Sequence, residues 1–121
     1  MGIKSAKLRQ GTTPAIDIVL EQEAVQNSTV FVTIDQGSVK LTKSNYRKNP
    51  SLVVAPLYDA TGKQIGSSIT AMFSQAETLR LKPGHGKVQV RWIDEDGIAD
   101  SSEIERIEIP KSLLKGVIAY G

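Results

Sequence analysis

Hydrophobic and polar positions alternate most clearly in the stretch that ends at Trp92. Val88, Val90 and Trp92 fall on one parity, whereas Gln89 and Arg91 fall on the other. Because successive side chains of a β-strand point to opposite faces of the sheet, this period of two predicts a strand with one buried face. The same parity predicts that Trp92 belongs to the core.

A turn and a second alternating segment follow this strand. Asp96 and Gly97 form a dipeptide that tolerates the positive backbone dihedral angles of a tight turn. Beyond the turn, Ile107 and Ile109 share one parity and their charged neighbours take the other. Residues 87–110 therefore predict a β-hairpin.

The same alternation recurs along the rest of the chain, with turn-forming residues between the segments. About eight short strands at this spacing are typical of an all-β sandwich or a small barrel. The predicted strands outside the hairpin are an edge strand over Lys4 to Arg9, Ala15 to Glu21, Thr29 to Ile34, a return strand that includes Val39 and Leu41, Leu52 to Tyr58, and Lys63 to Ile69.

Two of the internal segments depart from simple alternation. Leu52 to Tyr58 is apolar on both parities, which predicts a strand whose outer face is also covered. Ser74 and Glu77 have the spacing of a capping box. Because a proline and a glycine follow soon afterwards, this segment predicts at most one helical turn and then a short strand over Thr78 to Leu81.

The C-terminal residues have a different pattern from the rest. Leu113, Leu114 and Val117 have helical spacing after Pro110, which suits the start of a helix. We therefore expect a sandwich domain over residues 1–110. Residues 111–121 would begin a helical linker that leads to a missing C-terminal part.

The composition fits a single domain without covalent cross-links. A chain of 121 residues has the length of one domain and buries about two-thirds of its unfolded surface. The absence of cysteine excludes disulfides and thiolate chemistry. No apolar run approaches the roughly 20 residues of a membrane helix, and the first residues lack the apolar core of a signal peptide. We therefore expect no membrane association.

Charge is segregated along the chain, although the net charge is only +2. Residues 1–91 carry twelve Lys or Arg against six Asp or Glu, whereas residues 92–109 carry seven acids against one arginine. Either these charges complement each other across the folded surface, or an acidic patch meets a basic partner. The candidate docking surface is the acidic hairpin Asp94 to Asp100, the basic loop Lys43 to Lys48 or the N-terminal strand. On the hairpin and the loop the candidate residues are Asp94, Glu95, Asp96, Asp100, Lys43, Arg47 and Lys48.

The residues offer no constellation for catalysis. Counted from Asp94, a calcium loop has Gly97 at position 4 and Ile98 at position 5, which is the wrong spacing for an EF-hand. A looser calcium site at this turn stays open. His85 is the only histidine, and the chain has no cysteine to complete a metal site. We therefore expect no enzymatic activity, no catalytic residues, no cofactor and no metal site.

The residues also raise two binding alternatives. Tyr46, Tyr58 and Trp92 would form a sugar-stacking platform in a carbohydrate-binding module of a cell-surface protein, although parity favours the core for Trp92. The loop that contains Lys43 and Arg47 is basic and has one aromatic residue. Binders of single-stranded nucleic acid place several aromatic residues in a basic groove, so we expect no nucleic acid partner.

Four motifs of the C-terminal half occur in a characteristic order. They are Leu81-Lys-Pro-Gly84, Val88-Gln-Val-Arg-Trp92, Asp94-Glu-Asp-Gly97, and Ile107-Glu-Ile-Pro110 before Lys111-Ser-Leu113. In these motifs the chain resembles the N-terminal domain of the BppU-type upper baseplate proteins of tailed phages that infect Gram-positive bacteria. The Thr29 to Ile34 strand also fits this family.

The resemblance implies an immunoglobulin-like antiparallel β-sandwich of about 7–8 strands. It also implies a structural role in the virion, in which the domain docks a receptor-binding arm onto the central tail hub for host adhesion. The expected partners are other baseplate and tail hub proteins and the receptor-binding proteins. We expect a trimer for the full-length chain, a monomer for this domain alone, and production in the host cytoplasm before assembly into the tail. The family brings no catalytic or cofactor residues.

Overall fold

The computed structural model describes residues 2–3 (backbone only), 7–21, 27–46 and 51–120. Its described residues form nine β-strands and one short helix. Among the described residues, no helix is long and apolar enough to cross a membrane. The elements are β1 (Gly2–Ile3), β2 (Ala15–Leu20), β3 (Thr29–Asp35), β4 (Lys40–Ser44), β5 (Leu52–Tyr58), β6 (Gln64–Met72), α1 (Gln75–Leu79), β7 (Gly84–Ile93), β8 (Ala99–Ser101) and β9 (Glu105–Ile109).

The strands form two antiparallel sheets that pack as a sandwich. One sheet has the order β1-β2-β6-β5; the other has the order β4-β3-β7, followed by β8 and β9, which both pair with β7. In immunoglobulin nomenclature these are the sheets A-B-E-D and C′-C-F-G. The all-β, immunoglobulin-like sandwich is therefore confirmed.

Alternating side chains of the two sheets build one core. On β3, Val30, Val32 and Ile34 are buried, and they pair in register with the buried Trp92, Val90 and Val88 of β7. In the other sheet, Ile18 of β2 faces Ile69 of β6. Fully burying one such side chain contributes about 1.5–3 kcal/mol to stability. The burial of these alternating side chains is therefore the main stabilising contribution.

The hairpin that begins with β7 returns as one interrupted strand. β8 pairs with residues 91–93, and β9 pairs with residues 84–88 of the same edge. Between the two, Ser102 spans the gap: its hydroxyl accepts the N–H of Val90 at 2.9 Å, and its own N–H donates to the Val90 carbonyl at 2.8 Å. The hairpin predicted over residues 87–110 is confirmed, and its strand β7 begins three residues earlier.

The N-terminal segment covers the outer edge of β9. Leu8 N–H donates to the carbonyl of Glu108 at 2.9 Å, and Gln10 N–H donates to that of Pro110 at 3.2 Å. Lys7 forms a parallel bridge with Glu108, and Leu8 is fully buried. This contact satisfies backbone groups that an open sheet edge would present to solvent. Of the predicted edge strand over Lys4 to Arg9, residues 4–6 lie outside the described residues.

Helix α1 follows the capping box that the spacing predicted. The Ser74 hydroxyl accepts the N–H of Glu77, and the Glu77 carboxylate accepts the N–H of Ser74. The short strand predicted over Thr78 to Leu81 is wrong, because Thr78 continues the helix. Its hydroxyl donates to the carbonyl of Thr12 at 2.9 Å, which fixes α1 against the N-terminal segment.

Two further expectations differ from the structure. β5 is an edge strand whose outward-facing Val53 and Ala55 are exposed, so its outer face is not covered by the described residues. The helix expected from Lys111 is absent, since residues 111–120 have no helical assignment and Gly116 has a φ of 89°. A single amphipathic turn without a packing partner is marginal in water, which accounts for this difference.

Candidate docking surface

The predicted acidic hairpin consists of the acidic turn, residues 94–98 between β7 and β8, and of Asp100 on β8. One of its acids holds the turn in shape. Asp94 Oδ1 accepts the N–H of Asp96 at 3.0 Å and that of Ile98 at 2.9 Å. The backbone of Asp94 also pairs with that of Ile98, and Gly97 has a φ of 79°. Asp94 is therefore committed to the backbone of its own turn.

The other acids of the patch are available to a partner. Glu95, Asp96 and Asp100 are exposed, and none forms an ion pair with any of the residues that the structure describes. Asp100 accepts the N–H of Ser101 at 2.8 Å. Ile98 stands beside them with 65% of its surface exposed. The turn thus combines uncompensated negative charge with one apolar side chain.

Lys43, a candidate of the predicted basic loop, contacts its own domain. Its ammonium lies 2.6 Å from Glu77 Oε2 and 2.7 Å from Oε1, and 5.5 Å from the centre of the Phe73 ring. Only 11% of its side chain is exposed. The charge of Lys43 therefore joins β4 to α1. Arg47 and Lys48 lie outside the described residues.

The ion pair also changes the ionisation of Glu77. Burial by itself would raise the pKa of this carboxyl group, but the hydrogen bonds from Lys43 and from the Ser74 N–H outweigh that effect. Together with the Coulombic attraction of Lys43, they hold the pKa of Glu77 below its ordinary value. Glu77 is thus a carboxylate at neutral pH.

A shallow depression of about 370 Å³ lies on the outer face of the β4-β3-β7-β8 sheet. Phe31 and Ile93 form apolar walls and are 38% and 41% exposed. Arg91 is the one charged residue among the lining residues that the structure describes. Arg91 pairs in register with Phe31 on one side and Ser101 on the other, so its side chain stands on the outer face between them. The other described residues of the lining are Thr33, Thr42, Trp92 and Ala99.

The Arg91 side chain is exposed on this face. No hydrogen bond or ion pair of its guanidinium occurs within the described part of the chain. The outward directions of Phe31 and Arg91 follow from parity alone. Their proximity does not, because it depends on the pairing of β3 with β7, strands that are more than fifty residues apart in sequence.

The aromatic residues do not form a common platform around Trp92. Trp92 is only 6% exposed, as its parity predicted, and it packs in the core. Tyr46 and Tyr58 are both exposed. Tyr46 follows the end of β4 in the sequence, whereas Tyr58 is the last residue of β5 in the opposite sheet. A sugar-binding role would therefore depend on one of these tyrosines.

The structure brings together no metal ligands among the residues it describes. His85 is exposed on β7 and pairs in register with Glu108. The seven acids of residues 92–109 lie along a turn and a strand edge without forming a cluster that could hold an ion.

No protein-family model, curated protein or solved structure matches this chain significantly.

Proposed function

We propose that this chain is a docking domain of a phage tail baseplate, where it holds a receptor-binding arm on the central tail hub for host adhesion. The observation that carries the docking role is the acidic turn. Glu95 and Asp96 are exposed without ion pairs to the described residues, and Ile98 offers an apolar contact beside them. Complementary charge on a partner would steer association and fix its register.

The baseplate assignment rests on the resemblance of residues 81–113. These residues follow α1 and form β7, the acidic turn and the interrupted return strand, so the resemblance covers one structural unit. The partners would be tail hub and receptor-binding proteins in the virion. A parent chain that continues beyond the exposed residues 113–120 would assemble as a trimer.

Co-purification with the tail proteins encoded beside this chain tests the proposal. Light scattering should give a complex of defined mass. The double substitution Glu95→Lys with Asp96→Lys should lower the affinity of this complex about tenfold or more, because buried like charges repel. Lys63→Glu is the matched control, since Lys63 is exposed in the β5–β6 turn of the other sheet. A folded chain that forms no complex with any of these proteins would refute the baseplate role.

The alternative of a carbohydrate-binding module rests on the exposure of Tyr46 and Tyr58. A sugar ring stacks on an exposed aromatic face, so binding would depend on one of the two rings. Calorimetric titration with soluble cell-wall glycans should then give heat that Tyr46→Ala or Tyr58→Ala removes. No heat with any glycan rejects this alternative.

A further inference from the structure

The depression around Arg91 has the chemistry to receive an acidic, apolar-tipped segment. Phe31 and Ile93 offer apolar walls, and Thr33 and Thr42 offer hydroxyl groups. The Arg91 guanidinium carries up to five N–H donors, which match a carboxylate well. Because no acid of the described residues pairs with it, this cation is available to a partner.

The chain itself contains a segment of that chemistry. The acidic turn presents Glu95 and Asp96 together with Ile98, whose side chain is 65% exposed. The hydrogen bonds of Asp94 fix the turn as an extension of the β7–β8 hairpin. The turn therefore continues the hairpin beyond the Ile93–Ala99 pair, and neither Glu95 nor Asp96 forms an ion pair with Arg91.

The turn and the depression adjoin each other at one end of the sheet. Ile93 and Ala99 line the depression and also flank the turn. At about 3.3 Å per residue, Arg91 and Asp96 lie within about 17 Å along the strand. Two copies that meet face to face about a two-fold axis would place each turn over the other copy's depression, since a two-fold interface repeats every contact.

We propose that two copies of this chain pair through this face, with Glu95 and Asp96 of each copy against Arg91 of the other and Ile98 against Phe31. The partner is a second copy because the exposed acids and the exposed cation lie on adjacent parts of the same sheet, and neither forms an ion pair with the described residues. This inference goes beyond the docking role and concerns the free chain. Docking on a tail and pairing of copies are alternative uses of the same turn.

The area of the face limits the affinity between the two copies. Four strands at about 4.8 Å spacing and about 20 Å of strand length give a face of about 400 Å². Counted on both copies, the pairing would bury about 800 Å², which is below the size of stable specific interfaces and in the range of weak, transient ones. The dimer should therefore be weak, depend on concentration, and dissociate more at about 1 M than at about 0.05 M salt, because salt screens its charge pairs.

A charge-exchange experiment tests this pairing. Sedimentation velocity of the wild-type chain over a concentration series should show a monomer–dimer equilibrium. Arg91→Glu alone, and Glu95→Lys with Asp96→Lys alone, should each lower the association constant about tenfold or more. An equal mixture of the two variants should form a heterodimer, since the exchange restores opposite charges at both symmetry-related contacts.

The controls separate an interface effect from misfolding. All three substituted side chains are exposed, and circular dichroism checks that each variant is folded. Arg91→Gln, which removes the charge without reversing it, should also weaken the dimer, and Lys63→Glu on the other sheet should not. A wild-type chain that is monomeric at every concentration, or two variants that fail to pair in the mixture, would overturn the proposal.

Discussion

Lys43 and Glu77 join the edge strand β4 to helix α1 through an ion pair of 2.6 Å. Glu77 is also the third residue of helix α1 and completes the capping box with Ser74, so one carboxylate caps its own helix and bonds to a neighbouring sheet. The exposed pair between Lys40 and Asp35, at 3.9 Å, has neither of these functions. The two pairs allow a direct comparison of a partly buried and an exposed ion pair in one domain.

Lys43→Ala should lower the free energy of unfolding by about 1–2 kcal/mol, because it leaves the half-buried Glu77 carboxylate without its charged donor. Lys40→Ala should change it by at most about 0.5 kcal/mol, as is typical of exposed pairs. Urea unfolding at neutral pH measures both. Equal effects of the two substitutions would show that burial does not strengthen the Lys43–Glu77 pair.

The same carboxylate should make stability depend on pH. The folded-state pKa of Glu77 is below its ordinary value of 4.5. The stability that Glu77 contributes is therefore fully present above its pKa in the unfolded chain. It is lost as the pH falls through its lower pKa in the folded chain. Glu77→Gln should be less stable than the wild type at neutral pH, and the difference should shrink in acid. Urea unfolding of both chains across this range gives the result, and a constant difference would contradict it.

The acids of the turn should differ in their effect on stability. Asp94→Ala removes the acceptor of two backbone N–H groups and should cost about 1–2 kcal/mol. Asp96→Ala alters an exposed side chain, so it should change the free energy of unfolding by at most about 0.5 kcal/mol. Thermal unfolding of both variants separates the acid that shapes the turn from an acid that is free to bind. A large loss for Asp96→Ala would contradict its assignment to the docking surface.

Gly66 lies where β6 passes close to the end of β2. A Cβ atom at this position would lie 2.1 Å from the carbonyl oxygen of Leu20 and 3.1 Å from the Cα of Glu21. Because both contacts are with backbone, Gly66→Ala should cost about 2–4 kcal/mol. Ser68 lies on the outward-facing side of the same strand. Ser68→Ala should change the free energy of unfolding, measured by chemical unfolding, by at most about 0.5 kcal/mol.

Most of the sandwich could be predicted from the sequence because alternation is a local signal. The parity of Val88, Val90 and Trp92 is a property of neighbouring residues, and burial follows it. Parity fails where both sides of a strand are apolar. Val53 and Ala55 are as apolar as a covered strand would require, but they lie on a sheet edge, and a local pattern does not specify the position of a strand in its sheet.

The candidate site was only partly predictable, because it depends on pairings between distant residues. The acidic turn is contiguous in sequence and was identified directly. Nothing near Lys43 in the sequence indicates that Glu77, thirty-four residues away, takes up its charge. The depression likewise needs Phe31 and Arg91 side by side, which the register of β3 and β7 provides.

Leu8 fixes the N-terminal segment to the edge of β9. Its side chain is fully buried, and its N–H donates to the carbonyl of Glu108. Leu8→Ala should cost about 2–5 kcal/mol, since it leaves a cavity in the core, whereas Lys7→Ala should be nearly neutral because Lys7 is exposed. Hydrogen exchange should find the Leu8 amide protected in the wild type and faster in Leu8→Ala. An unprotected Leu8 amide in the wild-type chain would show that the segment leaves β9 readily, and the sheet edge would then be open to other strands.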